Sequence, residues 1–320
     1  MVKYHEALPQ LNGGLFVTDG GIETCLIFHD GLDLPHFAAF HLLRDASGTA
    51  ALRRYYRRYA AIAAAHGLGF VFESPTWRAS PDWGERLGYA PAALRDVNRR
   101  AIELGRELRA EQGADAPIVL SGCVGPRGDG YSPERRLGSD EARAYHAGQI
   151  ETFAASGADM VTAITMTHVG EAVGITRAAV AAGLPVAVSF TLETDGRLPT
   201  GDDLGEAIAE VDDLTAGAPA YYMINCAHPT HFAAMLATGG AWTRRVRGLR
   251  ANASRRSHAE LDQAGDLDDG DPRELGEQYA ALRRILPGLA VVGGCCGTDH
   301  RHVEAVCRAC CHGRRRPAAA

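Results

Sequence analysis

Short apolar runs rich in Val, Ile and Phe recur along the chain, separated by longer Ala- and Arg-rich stretches of helical period. The runs predict strands over 15–19, 69–73, 118–122, 160–165, 185–190, 221–226, 246–251 and 290–294. Helical period predicts helices over roughly 48–66, 92–112, 140–156, 171–183, 203–216, 230–238, 273–286 and 299–311. Strands that are apolar nearly throughout, joined by helical crossovers, indicate a parallel sheet covered on both faces. Eight such units within one compositional regime predict a single α/β domain, a closed (β/α)8 TIM barrel over residues 1–312. A doubly wound open sheet shares the same alternation and is the structural rival.

Three stretches read as loops. Residues 125–139 are rich in Gly and Pro, 194–202 follow the fifth strand, and 252–272 are crowded with Asp. Each follows the C-terminal end of a strand, where a barrel builds its active site. The stretch 313–320, with three arginines before Pro and Ala, reads as a disordered tail.

Composition narrows the function classes. The chain of 320 residues is 46% hydrophobic and 22% charged, ordinary for a globular protein with a sizeable core. Its formal charge of −6 argues against nucleic acid or an anionic membrane as partner, since both favour a basic face. The first residues carry no apolar stretch like a secretory signal, and no segment approaches the ~18 apolar residues of a membrane span. These features place the protein in the cytoplasm, with small molecules as its partners. The pattern is silent on oligomeric state.

In a reducing compartment, eight cysteines are a mixture of reactive or ligating groups and small buried hydrophobes. Cys226 ends the run Tyr221-Tyr222-Met223-Ile224-Asn225 and precedes Ala227-His228-Pro229. Pro229 suits the first turn of a helix, so Cys226 falls where strand six meets its loop. Cys295 and Cys296 lie in Gly293-Gly294-Cys295-Cys296-Gly297-Thr298. There the glycines free the backbone to leave the strand, and Thr298 is placed to cap the last helix. Adjacent cysteines inside a strand would face opposite sides, but on a Gly-flanked turn both can swing to one point. Strands six and eight end near one another on a barrel rim. Three converging thiolates with one open position make a catalytic zinc site, whereas a structural site normally has four protein ligands. Soft thiolates select zinc over magnesium or calcium, and a thiol entering the open position loses its proton. A non-catalytic zinc-storage or sensing protein is the competing class, and it calls for a fourth protein ligand.

The stretch Gly293–Thr298 and the Ile224-Asn225-Cys226 turn resemble the zinc-binding motifs of the homocysteine S-methyltransferase family. Thr18-Asp19-Gly20-Gly21, Thr76-Trp77-Arg78-Ala79-Ser80, Ser121–Pro126 and Ser189-Phe190-Thr191 support the likeness in the same order along most of the chain. The resemblance implies a (β/α)8 barrel that moves a methyl group from an onium donor to a zinc-bound thiol, with homocysteine as acceptor and methionine as product. It implies Cys226, Cys295 and Cys296 as metal ligands and Asp19 as a substrate-site residue. S-methylmethionine or S-adenosylmethionine is the implied donor. Relatives using betaine carry a long C-terminal extension, and methylfolate with cobalamin needs further modules.

The chain departs from the family at the end of strand four. Members acting on homocysteine have a glutamate there that holds the amino acid, whereas no carboxylate lies between Asp159 and Glu171. The position is expected at Thr167, whose hydroxyl cannot make a carboxylate's charge-assisted bond to an ammonium group. Glu23 and Glu73 are the candidate replacements, with a local cap or salt bridge as the plainer role for Glu23 and a pair with a nearby arginine, such as Arg78, as that for Glu73. A different thiol or sulfonium substrate on the same fold is the alternative. Trp77 and Trp83 offer ring faces to a cationic donor, and Asn225 joins the substrate-binding candidates. Cys307, Cys310, Cys311 and His312 sit on the terminal helix and read as packing, as do Cys25 and Cys123. His29, His36 and His41 follow strand one, where a gating or substrate role is the alternative to the commoner surface histidine. Arg53, Arg54, Arg57 and Arg58 read as a solvated helix face.

Overall fold

The computed structural model describes residues 3–113, 116–131 and 136–311. Eight parallel strands close in sequence order. They are β1 (Phe16–Val17), β2 (Gly69–Glu73), β3 (Ile118–Val124), β4 (Met160–Met166), β5 (Val186–Thr191), β6 (Tyr221–Asn225), β7 (Val246–Ala251) and β8 (Val291–Gly294). Pairing of Phe16 with Val291 and of Val17 with Val292 joins the first strand to the last, which excludes the open sheet. The architecture is the (β/α)8 barrel expected from the pattern. The tail 313–320 and His312 lie outside the described residues.

The crossover helices form where the apolar spacing placed them. The helix Pro91–Glu111 starts with proline, whose missing N–H costs nothing in the first turn, and turns Leu94, Val97, Ala101, Leu104 and Leu108 to the core. Asp45, Asp203 and Asp271 accept backbone N–H bonds at the N-termini of Ala46–Ala65, Leu204–Thr215 and Pro272–Ile285. Each such cap contributes about 1 kcal/mol. Several short elements escaped the pattern, including Ile22–Thr24, Pro81–Arg86, Ala241–Arg245 and His258–Asp262. They are too short to show a helical period.

The barrel interior changes character along its axis. At the N-terminal end Phe16, Val71, Val119, Met160, Ala187, Tyr221, Met223 and Val291 fill it as an apolar plug. Above this layer the inward residues are polar and charged. Ser121 and Thr162 exchange a 2.7 Å hydrogen bond, Thr162 donates to Glu73 at 2.9 Å, and Arg250 sits 2.8 Å from Asp19. Closed packing below and buried polarity above confine any chemistry to the C-terminal rim.

Candidate active site

Two strand ends, those of β6 and β8, bring the three cysteines together. Cys226 follows β6 with φ of +52°, in the left-handed region where non-glycine residues are uncommon. Its N–H bonds the Arg250 carbonyl at 3.1 Å, which holds that unfavourable backbone in place. Pro229 begins the following helix as expected, with His228 as its cap. After β8, Gly293 and Gly294 lie so close to the Thr18 and Thr298 side chains that a Cβ at either position would clash. Gly293 and Gly294 are therefore needed for close approach, whereas Gly297 supplies the turn's left-handed φ of +77°. Thr298 does not cap the last helix. Its hydroxyl donates to the Cys295 carbonyl at 2.7 Å and accepts from Gly21 N–H at 3.1 Å, which pins the cysteine turn to the β1 loop. The cap falls one residue later, where Asp299 accepts from Arg301 N–H at 2.8 Å.

The sulfurs of Cys226, Cys295 and Cys296 all lie within 4.8 Å of one another, and those of Cys226 and Cys296 are 3.9 Å apart. Tetrahedral zinc with Zn–S bonds near 2.3 Å places its sulfurs about 3.8 Å apart, so the donor set suits such an ion and the separation of Cys226 from Cys296 matches it. Cys226 and Cys295 are joined as a disulfide in this structure, while Cys296 is a free thiol. A metal requires the pair reduced, because only thiolates ligate. Burial raises the Cys296 pKa, and the Tyr131 hydroxyl partly offsets this.

Asn225 acts beside the cysteines as a clamp. Its side-chain carbonyl accepts from Ser189 at 2.6 Å and from Thr165 N–H at 3.0 Å, and its amide donates to the Thr165 hydroxyl at 2.9 Å. Thr165 stands at φ of +65°, rare for a β-branched residue, inside a β4 bulge between Ala163 and Met166. The bulge also shapes the end of strand four. Through Asn225, which also reaches Cys295, the bulge ties Thr165 to the cysteine turn. Thr167 lies past the strand, with its hydroxyl 3.1 Å from His168 Nδ1 and its carbonyl accepting from Thr200. Neither Ile164 nor Thr165 carries a charge.

The acidic candidates occupy different depths. Asp19, at the end of the β1 loop, is 2% exposed and already engaged: Arg250 Nη2 lies 2.8 Å from it and the Tyr55 hydroxyl donates to it at 2.9 Å. Burial works against the charge on Arg250, but Asp19 and Glu73 outweigh it and hold the guanidinium pKa above its ordinary value. Glu73 is 4% exposed, and its Oε2 has no hydrogen-bond partner. Burial pushes its pKa up to about 7 against the opposing pull of Arg250. The expected Arg78 partner of Glu73 is thus replaced by Thr162 and Arg250. Glu23, in the first turn of Ile22–Thr24, is half-buried, and burial raises it to about 7 as well. Arg78, Asp19 and Arg250 all act on it electrostatically, yet no described side chain forms an ion pair or hydrogen bond with it.

The aromatic candidates are largely engaged. The Arg78 guanidinium lies 4.8 Å from the Trp77 ring and 4.1 Å from the Trp83 ring, and Trp77 Nε1 donates to the Ile164 carbonyl at 3.4 Å. Cys25, Cys123, Cys307 and Cys310 are buried, as expected of packing residues. His29, which reads as a surface residue, stands 3.8 Å from buried Asp299. The Arg53 and Arg57 side chains pair with Glu107 and Glu111 on the neighbouring helix.

Sequence reasoning missed Tyr131, Arg250, Tyr55 and His258. Arg250 left a signal, being a buried charge in a strand whose other arginine, Arg247, is only partly buried. Tyr131 left none, since a loop aromatic declares no contact.

Known proteins agree with this geometry. A sequence model described as homocysteine S-methyltransferase matches residues 16–310. The chain is 24% identical over 317 residues to homocysteine S-methyltransferase 4 of Zea mays, covering 93% of this chain and 90% of the relative. It is 28% identical over 233 residues to the methionine synthase of Mycobacterium leprae, of which it covers 18%. Among solved structures, the metallated and oxidized forms of the homocysteine methyltransferase MmuM from Escherichia coli superpose with TM-scores of 0.70 and 0.71. Their sequences are 18% and 22% identical to this one, with 92% and 91% of this chain and 96% and 94% of theirs covered, a likeness of fold. With its barrel, its cysteine turns and a family match across nearly its whole length, the chain belongs to the homocysteine S-methyltransferase family, enzymes of thiol methyl transfer.

Proposed function

We propose that the enzyme holds one zinc ion through Cys226, Cys295 and Cys296 and methylates a thiol that takes the fourth position, with a sulfonium compound as donor. The observation that carries this reading is the convergence of three sulfurs within 4.8 Å on one rim. Bound there, zinc would supply Lewis acidity that keeps the acceptor thiol deprotonated at neutral pH. The chain's own residues set the rest. Asn225 fixes the β6 turn that aims Cys226, and Thr298 fixes the turn of Cys295 and Cys296. As the methyl group passes, the donor C–S bond breaks, the acceptor S–C bond forms, and the sulfonium and thiolate charges cancel. A site that excludes water favours such charge loss.

For the acceptor we favour homocysteine, with Glu23 receiving its ammonium group. Asp19 already faces a guanidinium, and the end of β4 offers Ile164 and Thr165. Glu23 stands among Arg78, Tyr131 and Cys296 with no ion pair of its own among the described residues. A charge-assisted bond at this site is worth about 1.5–3 kcal/mol. The neutral end of β4 favours a second reading, an acceptor thiol without an amino group.

Methyl transfer to homocysteine and to 4-mercaptobutyrate, read by mass spectrometry with S-methylmethionine and S-adenosylmethionine as donors, separates these readings. Glu23→Gln is expected to raise the homocysteine KM roughly ten- to a hundred-fold with metal content intact. Equal kcat/KM for the two thiols would decide against homocysteine. Cys296→Ser is expected to remove both metal and activity, and full zinc occupancy in that variant would overturn the metal site.

A further inference from the structure

Arg78 follows β2 on the rim that carries the cysteines, in a turn tied down from both sides. Thr76 donates to the Cys123 carbonyl at 2.7 Å, Gly125 N–H bonds the Trp77 carbonyl at 3.1 Å, and the Asn98 amide bonds the Ala79 carbonyl at 2.9 Å. The half-buried guanidinium lies against two indoles, 4.8 Å from the Trp77 ring and 4.1 Å from the Trp83 ring, and such stacking fixes its plane. Its Nη1 donates to the His36 carbonyl, in a loop where His36 and Phe37 stand at φ of +56° and +54°. Its Nε is buried without a hydrogen-bond partner, and no described carboxylate forms an ion pair with the group. An N–H taken from water and left unpaired is a cost that a bound carboxylate would remove. Nε and Nη2 form the side edge of the guanidinium, the edge that grips a carboxylate through two parallel bonds. Asp129 and Glu23 act on Arg78 through space, and Arg78 and Glu23 both act on Tyr131, whose hydroxyl stands 3.2 Å from Cys226 Sγ. A carboxylate and a guanidinium thus stand near the sulfurs without pairing with one another.

We propose that Arg78 binds the carboxylate of the acceptor through its Nε–Nη2 edge, so that Glu23 and Arg78 together select an α-amino acid thiol. This rests on the reading that gives the acceptor's ammonium group to Glu23. The ammonium and carboxylate of an α-amino acid share one carbon, so the groups that receive them must be neighbours of opposite sign. Glu23 and Arg78 meet that condition, whereas Asp19 and Arg250 are already paired with one another. The two tryptophans hold the guanidinium ready in one orientation, which lowers the entropy lost when a carboxylate binds.

The test measures thiol binding to reduced, zinc-loaded protein by calorimetry. The thiols are homocysteine, 4-mercaptobutyrate, which lacks the ammonium group, and 3-mercaptopropylamine, which lacks the carboxylate. Arg78→Gln is expected to weaken the first two about ten- to a hundred-fold and to leave the third within about two-fold. Arg78→Lys keeps the charge without the fork and is expected to fall between the parent and Arg78→Gln. In the unmutated protein, 4-mercaptobutyrate is expected to bind about ten-fold tighter than 1-butanethiol or better. Equal affinity of those two would overturn the proposal without any variant. Equal weakening of all three thiols by Arg78→Gln would make Arg78 a support for the loop at His36 and overturn it as well. So would unchanged thiol affinities with a raised KM for S-methylmethionine and not for trimethylsulfonium, which would give the carboxylate to the donor. Glu23→Gln is expected to weaken homocysteine and 3-mercaptopropylamine and to spare 4-mercaptobutyrate. If it spares all three, the ammonium reading fails while the carboxylate site at Arg78 stands.

Discussion

Glu73 is the most sharply testable residue inside the barrel. Its carboxyl is 4% exposed, accepts one hydrogen bond from Thr162 and leaves Oε2 unpartnered. Burial raises its pKa from 4.5 to about 7 in the folded protein. The folded state then binds the proton more tightly than the unfolded chain, so stability is full below the unfolded pKa and falls as pH rises through the folded one. With these two values, Glu73 costs about 2.5 kcal/mol of stability between pH 5 and pH 8. Glu73→Gln keeps an acceptor for Thr162 and cannot ionise. The stability of the variant relative to the parent is therefore expected to rise by about 2–3 kcal/mol over that interval. Urea unfolding of reduced, metal-free protein followed by circular dichroism at several pH values measures this, and removing the metal keeps thiol titration at the site from adding its own linkage. A stability difference independent of pH would refute the reasoning, because it would mean that Glu73 titrates alike in both states.

Two further outcomes follow from the same interior and from the metal site. Arg250→Met leaves the Asp19 and Glu73 carboxylates without their shared cation, so a loss of about 3–5 kcal/mol is expected in urea unfolding; a loss below about 1 kcal/mol would show that the charges are not mutually supporting. Chelation of reduced, zinc-loaded protein is expected to abolish methyl transfer while far-ultraviolet circular dichroism barely changes, because the barrel core does not depend on the ion; global unfolding on chelation would make the site structural.

Much of the architecture was legible in the chain because parallel strands buried on both faces must be apolar throughout, and the crossover helices must carry an apolar stripe. Those local requirements located β2 and β7 to the residue and the longer helices to within about two residues. The cysteine motifs were legible for a similar reason. Glycines flanking Cys295 and Cys296, and a proline after Cys226, mark strand ends whatever surrounds them. The chemistry around the cysteines was less legible. The pairing of Arg250 with Asp19, the approach of Tyr131 to Cys226 and the clamp of Asn225 on Thr165 each join residues far apart in sequence. Such contacts depend on which strand ends meet on the rim and on a bulge that shifts β4 by a residue, and no local pattern encodes either. Local propensity and burial thus determined the barrel and the placing of its sulfurs. Closure of the barrel alone decided that Asp19 faces a guanidinium, that Glu23 has no side-chain partner among the described residues, and that a tyrosine hydroxyl reaches the Cys226 sulfur.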